Sequence, residues 1–82
     1  MTTVEDRAAA AAIVRGCARD MSGREWRRVS WPGDARHLRR VYGVFRGAEA
    51  LLTASEVADA VREGSILAQE AAAGESAEGG VA

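Results

Sequence analysis

Five consecutive alanines, Ala8 to Ala12, stand near the start of a chain in which alanine fills eighteen positions. Alanine is the strongest helix former and carries almost no apolar area to bury, so its abundance favours helices and starves their core. The 82-residue chain is 48% hydrophobic, and nearly half of that share is alanine. Helices of this composition gain stability by packing close over a thin core. A chain of this length buries only about 60% of its unfolded surface, so help from a protein partner or a second copy is expected.

Residues that carry chemistry are sparse. Cys17 is the single cysteine and His37 the single histidine, and lysine is absent. This composition excludes an intramolecular disulfide, a four-cysteine zinc site and a phosphate-binding loop built on lysine. It leaves no nucleophile paired with a base. Glu56, Asp59 and Glu63 recur at helical spacing, as expected of a solvated face. No catalytic residue, metal ligand or cofactor site is expected, and the chain reads as non-enzymatic. A cytoplasmic location is expected, since acidic Glu5 and Asp6 precede the alanine run where an export signal would be basic. No stretch approaches the about 18 apolar residues of a membrane span.

The formal net charge of −1 hides a division. Residues 15 to 46 hold nine arginines against Asp20, Glu25 and Asp34, for +6. Residues 47 to 82 hold Arg62 against seven carboxylates, for −6. The acidic third either covers the basic middle or leaves it free for a partner.

Helix-start signals recur along the chain. Thr2-x-x-Glu5 or Thr3-x-x-Asp6 predicts a helix over 4–21 with Ala10, Ile13, Val14, Cys17 and Met21 inward, which makes Cys17 a core residue. Ser22, Glu25 and the Met21/Trp26 pair predict a short second helix over 23–30. Trp31-Pro32-Gly33-Asp34 reads as a turn, and Asp34 as the cap of a third helix over 34–46. In that helix Leu38, Val41, Tyr42 and Phe45, with Leu52 beyond it, oppose Arg36, Arg39 and Arg40; Gly47 is expected to cap its end. Thr53-Ala-Ser-Glu56 predicts a helix over 54–63 with Ala54, Val57, Ala58 and Val61 inward and Gly64 as its stop. A short fifth helix over 66–73 and a flexible acidic tail over 74–82 complete the reading. The expected fold is all-α, a small bundle of about four helices forming one domain over 1–73. The alternative is α+β, because Val41 to Phe45 has high β propensity and could pair with Glu25 to Trp31 in a hairpin across Pro32-Gly33.

Function rests on the stretch WRRVSWPGDARHLRR, residues 26 to 40. Arg27, Arg28, Trp31, Arg36, Arg39 and Arg40 are the candidate binding residues, with Trp31 as an exposed anchor and Trp26 as a buried one. The first reading is a small interaction protein, a subunit, adaptor or regulator, docking through this face on a protein partner or as a homo-oligomer. The alternative is a DNA- or RNA-binding regulator, since a short helix, a glycine-containing turn and an arginine-bearing helix have a helix-turn-helix layout. The acidic last third weighs against it by repelling phosphates.

Overall fold

A computed structural model describes the backbone of residues 3–25 and 27–81, and the side chains of that set up to residue 73. It is all-helical, with α1 (Val4–Glu25), α2 (Ala35–Val41), α3 (Gly43–Glu49) and α4 (Ala54–Val81) packed as a small bundle. Among the described residues there is no strand, so the hairpin alternative does not form.

Two of the expected start signals work as reciprocal caps. The Thr3 amide donates to Asp6 at 3.2 Å while the Asp6 amide donates to Thr3 Oγ1 at 3.0 Å. Thr53 and Glu56 repeat the exchange at 3.0 and 3.2 Å. Each pair satisfies two amide donors that a helix N-terminus would otherwise leave without partners.

The bundle is organised by the contact of α1 with α4, which run parallel. Arg7 pairs with Glu56 and, two turns on, Arg15 with Glu63, so the two helices keep one register. Between them lie Ala10, Val14, Cys17 and Met21 on α1 and Val57, Val61, Gly64 and Ala68 on α4. Each set follows a spacing of four, three and four residues, the pattern of a helix–helix seam. At Gly64 the backbones meet: an added Cβ would sit 2.2 Å from the Arg15 carbonyl oxygen and 3.0 Å from the Ala18 Cβ. Gly64 is therefore a packing glycine in mid-helix. The expected stop at Gly64 and the separate helix over 66–73 are both corrected, and the two segments are one helix. The acidic tail expected over 74–82 falls on residues whose side chains lie outside the described residues.

The second predicted helix does not form either. α1 continues through Ser22 and Gly23 to Glu25, beyond the expected end at residue 21, and residues 27–30 are not helical. Ser22 is buried rather than a cap, and its hydroxyl accepts the Val29 amide at 3.4 Å while Ser65 of α4 accepts the same amide at 3.0 Å. Burying Val29 against the two helices prevails over starting a new helix at Ser22. The staple proposed for Met21 and Trp26 involves Trp26, which lies outside the described residues.

The third predicted helix is divided at Tyr42, whose backbone is extended at φ −115° and ψ 98°. Val41, Tyr42, Gly43 and Val44 are poor helix formers, and the β propensity of Tyr42 and the two valines is expressed as this break. Tyr42 hydroxyl donates to Asp20 of α1, which holds the break against the bundle. Leu38 and Phe45 are fully buried on either side of it, and Tyr42 and Leu52 pack partly buried against the same core. Gly47 lies inside α3 and no described glycine has positive φ, so the expected glycine cap is absent. Asp34 occupies the N-cap position of α2 but gives it no side-chain cap. Ile13, Val41 and Ala54, expected inward, are exposed.

The buried hydroxyls, the close glycine and the many alanines give a core whose largest members are Phe45, Met21 and Leu38. Cys17 is buried in it; burial first, then nearby Asp20, pushes its thiol pKa up and keeps it protonated.

Two measurements check this packing. Gly64→Ala is expected to lower stability by about 1–3 kcal/mol, because the clash outweighs alanine's helix propensity. Gly16→Ala, where an added Cβ meets nothing within 4 Å, is expected to raise stability by up to about 1 kcal/mol, both read by denaturant unfolding. Burial and the Asp20 hydrogen bond push the phenol of Tyr42, the single tyrosine, up to about 12. Its stabilisation is complete below the unfolded value of about 10 and is lost as pH rises through the folded value. A phenolate absorbance titration should show a midpoint near the folded value, and Asp20→Asn should bring it down.

Candidate functional site

The six candidate residues lie on the loop after α1 and on α2, and they divide into two groups. Arg27 is held by the fold, donating to Glu25 at 2.8 Å and to Asp34 at 2.9 Å. Asp34 also accepts the Ser30 amide at 2.8 Å, so its carboxylate turns back on the loop instead of capping α2. That amide, then Arg27, holds the Asp34 pKa below the usual carboxylate range despite partial burial. Glu25 is lowered chiefly by its hydrogen bond from Arg27, with His37 Nε2 lying 3.3 Å from its other oxygen.

Trp31 and Arg39 are also engaged. Trp31 is half-buried, its ring centroid 5.7 Å from that of Phe45 at an interplanar angle of 41°. The Arg39 guanidinium lies 5.2 Å from the Trp31 ring centroid and donates to both oxygens of Glu49, at 2.5 and 3.0 Å. Trp31 is thus a lid on the core, clamped by a cation and a carboxylate across α2 and α3, rather than the free anchor expected. The Trp31–Pro32 peptide bond is cis.

Arg28, Arg36 and Arg40 form the second group. They are exposed, and among the described residues they make no ion pair. Arg36 and Arg40, four residues apart on α2, share a side of that helix. Arg19 and Arg46 are likewise exposed and outside these pairs. Among the described residues, the acidic third reaches the basic middle only through Arg15–Glu63 and Arg39–Glu49, and these pairs leave three of the six candidates uncovered.

Among the described residues the helix-turn-helix layout is not present. Its first helix, expected over 23–30, is missing, the connection from α1 to α2 spans residues 26–34, and α2 has seven residues. At 1.5 Å per residue α2 is only about 10 Å long.

Two surface features escaped the sequence reading. Ile13, Val44 and Leu51, all exposed, line one shallow apolar depression with Ala9, Ala10 and Ala48 between α1 and α3. Arg62 and Ile66 of α4 lie with Arg28 and Trp31 in a groove, a pairing that depends on α4 running through Gly64. No cluster of three His, Cys, Asp or Glu among the described residues could hold a metal ion, and no described helix is long and apolar enough to cross a membrane.

No family model matches the chain, and neither a curated protein nor a solved structure shows significant similarity to it.

The division of the arginines is open to test by thermal melting followed by circular dichroism. Arg39→Ala is expected to lower the melting temperature by a few degrees, since it strips Trp31 and Glu49 of their partner. Arg36→Ala and Arg40→Ala should leave it unchanged within error. Equal losses at all three positions would show that the exposed pair is structural too.

Proposed function

We propose that this chain is a small non-enzymatic interaction module of the cytoplasm that docks through Arg28, Arg36 and Arg40 on an acidic surface of another protein. One observation carries the reading: these arginines are exposed and without carboxylate partners among the described residues, while Arg27 and Arg39 beside them are paired. A guanidinium presents a planar fork of donors and sheds water more readily than an ammonium, so an uncovered set favours bidentate carboxylates. The small core supports the same reading, because binding a partner adds stability that the chain gains little of by itself.

A protein surface suits this face better than a nucleic acid does. α2 is too short to span a groove, and the helix before it, α1, ends at Glu25 with nine residues between it and α2, too far for a helix-turn-helix pair. Glu63 and Glu70 lie exposed on α4. The same carboxylates make a second copy of the chain an eligible partner.

The test compares the protein with its Arg28→Glu, Arg36→Glu, Arg40→Glu variant, titrated with polyglutamate and with a generic DNA duplex at ~50 mM salt. Polyglutamate should bind, and the variant should lose about tenfold or more in affinity with its helicity intact. Duplex binding that falls steeply with salt, without polyglutamate binding, would overturn the reading in favour of nucleic acid. Sedimentation at several concentrations identifies the second copy as partner if a dimer forms and the variant loses it.

A further inference from the structure

Between the loop after α1 and the middle of α4 lies a groove of about 280 Å³. Arg28 and Trp31 line it from the loop, and Ala58, Val61, Arg62 and Ile66 from α4, with no carboxylate in its lining. Two guanidinium groups, far apart in sequence, thus meet an apolar surface at one place. The volume lies below the roughly 300–1,000 Å³ of sites for whole small ligands and suits a side chain.

The groove is held in shape by contacts that binding need not disturb. Trp31 is fixed by Phe45 on the core side and by the Arg39 guanidinium. The loop beside it is pinned where the Val29 amide donates to the buried hydroxyls of Ser22 and Ser65. Arg28 has no ion-pair partner among the described residues, and Arg62 is paired only with Asp59, at 2.8 Å, with both side chains more than half exposed. An exposed pair of this kind is readily exchanged for another carboxylate. A rigid apolar floor with two available cations is complementary to one chemistry, a large aliphatic side chain flanked by carboxylates.

We infer that this groove is the specificity pocket of the docking face: it receives an acidic segment of the protein partner, one leucine-like side chain seated between Trp31, Val61 and Ile66 and carboxylates at Arg28 and Arg62. The inference rests on the reading that the partner is an acidic protein. It adds Arg62 and Ile66 to the residues that recognise it and makes an apolar group, beyond charge alone, the determinant of choice.

The probe is an end-blocked peptide with one leucine between two aspartates in a glycine and serine background, titrated into ¹⁵N-labelled full-length protein. Amide shifts should concentrate at Val29, Ser30, Ser65 and Ile66. Arg28→Gln and Arg62→Gln should each weaken binding about two- to fivefold, and Ile66→Ser should weaken it as well. Arg46→Gln, at an exposed arginine outside the docking set, should not alter it. Replacing the peptide's leucine by serine should cost about tenfold or more, and replacing its aspartates by asparagine should also weaken it. If the serine peptide binds equally well and losses follow Arg36 and Arg40, the groove proposal is overturned while acidic docking stands. Absence of shifts at millimolar peptide, with polyglutamate still bound, overturns the groove alone. Failure of both probes overturns the two proposals together.

Discussion

The close approach of α4 to α1 at Gly64 is the constraint on which the other contacts depend. With no side chain there, the Arg15 carbonyl and the α4 backbone come together, and the alanines around them lose little by having few atoms to bury. That approach brings Ser22 and Ser65 close enough to share the Val29 amide. The pinned loop in turn delivers Trp31 to Phe45, and Trp31 supports Arg39, which reaches Glu49. Through this sequence of contacts a backbone clearance in the seam positions Trp31 and Arg39 at the surface.

Electrostatics plays a different part. Among the described residues the basic middle and the acidic third meet at two ion pairs, Arg15–Glu63 and Arg39–Glu49, whose arginines are substantially exposed, so they set local geometry more than stability. The Arg27–Asp34 pair closes the loop on itself instead of drawing in the acidic third. Among the described residues, positive charge is therefore left over at Arg28, Arg36 and Arg40.

Legibility varied with the range of the interaction. The capping boxes at Thr3 and Thr53 were readable because both partners lie within one turn. The core positions Val14, Cys17, Met21, Leu38, Phe45, Val57 and Val61 were readable from their period, since each lies on an apolar stripe of its own helix. Ser22 and Gly64 were misread for a common reason. Locally a serine before Glu25 is a cap and a glycine after Glu63 is a stop, yet each is overruled by a contact from outside its own helix, Val29 of the loop at Ser22 and α1 at Gly64. Arg39 looked equivalent to Arg36 and Arg40, because nothing nearby in sequence announces Trp31 above it or Glu49 beyond the break at Tyr42.

The amino-acid sequence by itself determined an all-α chain with a thin, alanine-rich core, two helix starts, a buried thiol and an uneven charge distribution. These follow from propensity, period and composition, which act within a turn or two of helix or on the chain as a whole. Only the tertiary structure decided that α4 runs through Gly64, that α1 absorbs Ser22, and which arginines are paired and which remain exposed. Those outcomes hinge on backbone clearance and on contacts between separate segments, from the 10 residues between Arg39 and Glu49 to the 36 between Val29 and Ser65, which exist only once the chain has packed.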